Sequence, residues 1–218
     1  AKFVQAGDVF TDKLVVSVKK HPWIKVNGSP VPVLAEGTLY GPFDAQPVEA
    51  NAPPQGAPVL GAETLTLTHP GSYVSPGTLT APESGFYTWV WKIDKQQQGG
   101  NAKYLTDSFT DRFGRVAETS VTPFQPEAVS KANGRLVMPG DAVTDTITVE
   151  SSNGRWLKHN GDLIPVVFEG TAYQVPGTLP PVQGAEVPAG AVPIGTVQVT
   201  ATGPGTYESP EVILPDAG

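Results

Sequence analysis

Cysteine is absent from the 218 residues, which excludes disulfides, thiolate metal sites and a cysteine nucleophile. No apolar run approaches the ~18–20 residues of a membrane-spanning helix. No cluster of Lys or Arg exceeds a pair, so the electrostatic footprint of a nucleic-acid or anionic-membrane binder is missing. Charged residues make up only 16% and the formal net charge is -7. Histidine is limited to three residues, His21, His69 and His159. None has a histidine neighbour at metal-ligand spacing, and no Gly-x-Ser-x-Gly elbow occurs. No glycine-rich loop leads into a helix, so phosphate binding has no support. The acidic pairs do not fit the alternating-Asp calcium loop. No catalytic residue, metal site or cofactor is therefore assigned. The chain opens on Ala1 without a charged-then-apolar leader, and a mature fragment is the expectation.

Glycine and proline, by contrast, are plentiful: 24 and 23 of 218 residues, about twice the ordinary load. Long helices are excluded over most of the sequence, because Pro lacks a backbone donor and Gly weakens helices. Disorder is not implied, since 39% of residues are hydrophobic, enough for one or two cores.

The chain also repeats itself. Gly7-Asp8-Val9-Phe10-Thr11-Asp12 matches Gly140-Asp141-Ala142-Val143-Thr144-Asp145. At the same offset Trp23 meets Trp156, Asn27-Gly28 meets Asn160-Gly161, Glu36-Gly37-Thr38 meets Glu169-Gly170-Thr171, and Tyr40 meets Tyr173. One residue further out of step, Gly61 meets Gly195, Pro70-Gly71 meets Pro204-Gly205, Tyr73 meets Tyr207, and Ser75-Pro76 meets Ser209-Pro210. A last adjustment pairs Pro82 with Pro215, Glu83 with Asp216 and Gly85 with Gly218. So many ordered matches define a tandem array. The expected domains are residues 1–126 and 127–218. The second copy lacks the counterpart of the first copy's stretch from Phe86 to about Gln125. A sheet edge left open in this way is expected to pair with another chain, so the second copy should be less ordered or be completed by a neighbour, with self-association as one outcome.

Alternation at period two marks the strands. Phe10, Leu14, Val16 and Val18 share one parity. Thr64–Thr68 and Thr196–Thr200 alternate, and Phe86, Thr88 and Val90 oppose Tyr87, Trp89 and Trp91. Further strands are expected over Val31–Tyr40 and Val116–Val121. Turns are marked by Asn27-Gly28, His69-Pro70-Gly71, Ser75-Pro76-Gly77 and Glu83-Ser84-Gly85. Pro42–Pro58 and its partner Pro176–Pro188 read as loops. Pro126–Gly134 fits one helical turn, an extended linker or the first strand of the second copy. About seven short strands per copy predict an all-β fold, tandem immunoglobulin-like β-sandwiches with an incomplete second copy.

The runs Gly7–Val16, Glu36–Tyr40, Pro82–Trp91 and Ala117–Val121 resemble the tandem immunoglobulin-like stalk repeats of actinobacterial, Gram-positive cell-wall adhesins. They are more distantly similar to surface-protein repeats that carry a Thr–Gln ester bond. The resemblance implies a non-enzymatic, structural stalk module of a secreted, cell-surface-anchored protein involved in adhesion. Its implied partners are neighbouring repeats and, at the stalk tip, a host glycan or protein. For the ester it points to Thr11, which recurs as Thr144, and to Gln125, with Glu118, Glu36 and Glu83 as candidate acids. Such a bond needs a hydroxyl, an amide and a carboxylic acid held protonated to polarise the carbonyl. Two departures from that family are visible. Glu118 stands where a histidine would precede Gln125, and Glu118 is itself the other residue that aligns with the family's Gln. An alternative register puts the reactive Thr ahead of Ala1, with Ser130 as its counterpart. An isopeptide bond would start from Lys13, but Val116–Val121 contains no Asn or Asp.

A second reading makes the module a binder of carbohydrate or host protein, with Trp23, Tyr87, Trp89 and Trp91 as an exposed stacking platform. Burial of these rings would favour the spacer instead. An accessory domain of a glycoside hydrolase is a third reading.

Overall fold

The computed structural model describes every residue except 1, 20, 135, 177–183, 185 and 216–218. The counterparts Asp216 and Gly218 and most of the 176–188 loop lie outside the described residues. The protein is nearly all-β, built from several small sheets, as expected of a β-sandwich. It forms two compact units, Ala1–Gln125 with Asn153–Asp162, and Pro126–Ser152 with Leu163–Gly218. The chain crosses between units next to residue 126. The ten residues 153–162, which the repeat register assigns to the second copy, are part of the first unit.

In the first unit the strands are β1 (Lys2–Phe3), β2 (Lys13–Val16), β3 (Lys25–Val26), β4 (Ser29–Pro30), β5 (Val33–Phe43), β6 (Val59–Leu67), β7 (Gly71–Val74), β8 (Gly85–Ile93), β9 (Phe109–Thr110) and β10 (Thr119–Thr122). The main sheet runs β1-β10-β8-β5-β6, with β9 on β8, and β2 pairs with β7. The core holds Phe10, Val33, Ala35, Leu39, Leu67, Tyr87, Trp89 and Trp91, with Leu14 and Val16 packed against it. Val18, expected to share their face, lies beyond the end of β2 and is exposed. The central strand β8 does not alternate between core and solvent: Tyr87, Thr88, Trp89, Val90 and Trp91 are all buried. It is flanked by β5 and β10, and a central strand covered on both faces reads as a continuous buried run.

Two further corrections concern helical turns. Residues Val116–Glu118 form a 3-10 turn, so the last strand starts only at Thr119. Lys95–Tyr104 forms a pair of 3-10 turns kinked at Gly99, in a stretch where no element was expected. There the Gln98 amide reaches back to β5, accepting from Leu34 N–H at 2.8 Å and donating to Leu34 C=O at 2.9 Å, as a neighbouring strand would.

The second unit contains β11 (Pro126–Ala132), β12 (Ala142–Val143), β13 (Asp145–Ser151), β16 (Val166–Gln174), β17 (Val192–Ala201), β18 (Gly205–Glu208) and β19 (Val212–Ile213). Between them in sequence lie β14 (Lys158–His159) and β15 (Asp162–Leu163). Of the alternatives for Pro126–Gly134, the structure selects a strand, β11, antiparallel to β13.

The sequence repeat is reproduced bond by bond. Asp12 and Ser75 exchange two hydrogen bonds, with Asp12 N–H on Ser75 Oγ at 3.0 Å and Ser75 N–H on Asp12 C=O at 2.9 Å. Asp145 and Ser209 do the same at 2.8 and 2.9 Å. Tyr73 OH donates to His69 C=O and accepts from Thr68 N–H; Tyr207 OH donates to Gly203 C=O and accepts from Thr202 N–H. The β5·β6 and β16·β17 ladders shift register at equivalent places, Leu39/Tyr40 and Ala172/Tyr173. Asn27-Gly28 and Asn160-Gly161 both have two positive φ angles, 49° and 84° in one and 53° and 94° in the other. That is the type I′ turn whose twist matches a hairpin.

Candidate functional site

Asp12, Trp91 and Glu118 meet at the start of β2. Thr11 and Asp12 immediately precede this strand. Ser75 fixes the Asp12 backbone on both sides, leaving its carboxylate to act. Asp12 Oδ2 accepts the Trp91 indole N–H at 2.7 Å. Glu118, at the end of the 3-10 turn before β10, shares a hydrogen bond with Asp12. Burial is the largest cause pushing the Glu118 carboxyl up to about 7. The Asp12 charge, the hydrogen bond to Asp12 and the Asp111 charge act in the same direction, and Arg115 opposes them. Arg115 is itself drawn to Asp111, at 3.1 Å. Two carboxyls this close do not both ionise readily. Glu118 therefore holds a proton over the range in which an ordinary glutamate has lost it.

This gives the protonated acid that an acyl-transfer cross-link requires. The Thr11 hydroxyl, on the residue before Asp12, accepts from Lys2 Nζ at 2.9 Å. Glu36 and Glu83 make their contacts elsewhere. Glu36 stands opposite Thr64 and Lys92 in the sheet. Glu83 accepts from Tyr87 OH through its backbone oxygen and faces Arg155 at 3.6 Å. Gln125 N–H donates to Asn153 Oδ1 at 2.8 Å. Of the five sequence candidates, then, the structure brings Thr11 and Glu118 into one neighbourhood through Asp12. Asp12 was not singled out as a site residue, although its recurrence as Asp145 was visible.

The aromatic candidates are placed inside the fold. Tyr87, Trp89 and Trp91 are buried. Trp89 stacks on Trp91, with ring centroids 5.5 Å apart and planes 19° from parallel, and Phe10 lies 4.7 Å from Tyr87. Trp23 is half-buried against the core and donates its indole N–H to Val31 C=O at 2.7 Å. Their apolar surface is spent on the core, so these four rings do not form the exposed platform that the binding reading requires.

A second carboxylate was not foreseen at all. Glu63, buried in β6, accepts from the Thr78 N–H, from the Thr78 hydroxyl at 2.8 Å and from Gly77 N–H at 3.4 Å. Burial works to raise its carboxyl, but these donors and Ser75 together hold it below the ordinary range. Its repeat counterpart is Val197, so this clamp belongs to the first unit alone.

Comparison with known protein families, curated proteins and solved structures gives no match. Among the described residues, no group of three or more His, Cys, Asp or Glu could hold a metal ion, and no helix is long and apolar enough to cross a membrane.

Proposed function

We propose that this chain is a non-enzymatic spacer of tandem immunoglobulin-like modules, working as part of the stalk of a secreted, cell-surface-anchored adhesin. One observation carries the reading. The same framework of hydrogen bonds, bulges and turns is built twice from matching residues in one polypeptide. A repeated scaffold adds length with each copy, which favours reach over turnover. The burial of Tyr87, Trp89 and Trp91 supports the same reading, because their surface serves packing.

The test is solution scattering on chains carrying one, two and four copies of the repeat. A spacer gains an equal increment in maximum dimension with each copy. A dimension that grows only as the cube root of mass would overturn it. Intact-mass measurement addresses the ester separately. Loss of one ammonia, localised by peptide mapping to Thr11 and Gln125, would establish the bond, and an unshifted mass excludes it.

A further inference from the structure

The chain contains four Asn-Gly steps, at Asn27, Asn133, Asn153 and Asn160, and the fold treats them in two ways. At such a step the main chain attacks an asparagine side chain most readily, because glycine has no side chain to shield its own nitrogen. The attack needs a side-chain amide free to rotate and a following N–H free of hydrogen bonds.

Two of the four are tied down. Asn153 Nδ2 donates to Pro123 C=O at 3.0 Å, and its Oδ1 accepts from Gln125 N–H at 2.8 Å. A Cβ on Gly154 would meet Glu83 at 2.7 Å, so the space around that glycine is closed. Asn133 Nδ2 donates to Thr144 Oγ1 at 3.0 Å, and its Oδ1 accepts from the Thr146 hydroxyl at 2.8 Å. At both sites, then, the amide is held at its nitrogen and at its oxygen. Asn27 and Asn160 are the reverse. Each is exposed in its type I′ turn. Among the described residues neither side chain makes a hydrogen bond, and the N–H groups of Gly28 and Gly161 donate to nothing. A Cβ on either glycine would meet nothing within 4 Å. The first unit carries Lys95–Tyr104 and β10 beyond Asn27 and still leaves it uncovered, so the openness belongs to the turn itself.

We infer that Asn27 and Asn160 are modification sites that deamidate without an enzyme, through a cyclic imide formed with the following glycine. The glycine main-chain nitrogen attacks the asparagine Cγ. A C–N bond forms, the nitrogen's proton passes to solvent, and Nδ2 leaves as ammonia. Water then opens the imide at either carbonyl, giving aspartate or isoaspartate. One water enters and one ammonia leaves, with no oxidation or reduction. The two products act differently on the hairpin. Asp-Gly suits the same turn, so aspartate keeps Val26 opposite Ser29 and adds a negative charge. Isoaspartate adds a methylene to the main chain inside a two-residue loop and breaks that pairing. The two turns thereby record the age of the chain. The inference is independent of the spacer reading. An imide at Asn27 also removes one ammonia, and its position in a peptide map separates it from an ester between Thr11 and Gln125.

The test incubates the full chain in mildly alkaline buffer, folded and in urea, and follows each site by peptide mapping and isoaspartyl-specific methylation. In the folded chain, aspartate and isoaspartate should form at Asn27 and at Asn160 at least about tenfold faster than at Asn133 and Asn153, whose side chains must first give up their hydrogen bonds. In urea the four rates should converge, because the restraint is tertiary. A smaller ratio at Asn27 or at Asn160 in the folded chain overturns the proposal. So does the same ranking of the four sites in urea, which would place the difference in the flanking residues and not in the fold.

Discussion

Two carboxyls of the first unit, Glu118 and Glu63, are shifted in opposite directions. Glu118 has its carboxyl raised from an ordinary 4.5 to about 7. Between those values the folded chain holds a proton that the unfolded chain has released. Stability therefore falls as pH rises through this window, and it is highest with respect to Glu118 below 4.5. Glu118→Gln should flatten that part of the stability profile in urea titrations from pH 4 to 8, while Asp12 keeps its indole partner. Glu63 behaves conversely. Its carboxyl is lowered, so its contribution is present at neutral pH and is lost as pH falls through the depressed value. Glu63→Gln should cost about 1.5–3 kcal/mol at pH 7, the range for hydrogen bonds to a charged acceptor, read as a shift in the denaturation midpoint. Two hydroxyls suggest gains: Thr88 Oγ1 and Thr122 Oγ1 are buried without a hydrogen-bond partner. Thr88→Val and Thr122→Val each remove an unsatisfied group at nearly constant shape and should raise stability by about 1 kcal/mol, measured by the same midpoint.

At the scale of the element, β5 is shaped by what lies across from it. Gly37 leaves room for the Trp91 ring, so Gly37→Ala forces the indole or the strand to move. A cost of about 1–3 kcal/mol is expected for such overpacking, visible as a lower melting temperature and altered near-ultraviolet dichroism of the Trp89–Trp91 stack. The same substitution at Gly170 should leave melting unchanged, since among the described residues a Cβ there meets only Val197, at an ordinary 3.7 Å. The strands themselves were largely legible. Alternation located β2, β6, β8 and β17, and Asn-Gly located two hairpin turns. What escaped is instructive in each case. Residues 116–118 were expected to begin the last strand, yet they close a tight turn that delivers Glu118 to Asp12. Lys95–Tyr104 is polar and glycine-bearing, with no periodicity to mark it, and it is held by tertiary hydrogen bonds from the Gln98 and Asn101 side chains to β5 and Pro32. Of the candidate site, only the family resemblance marks Glu118 as a candidate acid, and it falls within the expected last strand. Its partner is not marked, because residues 12 and 118 are brought together only by folding.

For the molecule as a whole, the segment 153–162 matters most. Asn153 Nδ2 donates to Pro123 C=O at 3.0 Å while its Oδ1 receives Gln125 N–H. Ser84 N–H reaches Asn153 C=O at 2.8 Å, and Ser84 Oγ reaches Arg155 C=O at 2.7 Å. Lys158 pairs with Asp44 at 2.7 Å, and Trp156 packs 4.9 Å from Phe124. Trp156 is buried, so the segment is an integral part of the first unit. Asn153→Ala removes a donor and an acceptor together and should lower that unit's stability by about 1–3 kcal/mol. Hydrogen exchange at Ser84 and Gln125 would report it locally, with the β16·β17 ladder as an unaffected reference.

The order of residues alone determined that this is a β protein written twice. Period-two alternation, Asn-Gly turns and the 133-residue echo are local or self-referential signals, and each survives without knowledge of what touches what. Tertiary structure decided where the aromatic rings go, which carboxyl keeps its proton, and that ten residues of one copy complete the unit of the other. These outcomes depend on contacts between residues far apart in the chain, where burial and neighbouring charge set the energy of a side chain more strongly than its type.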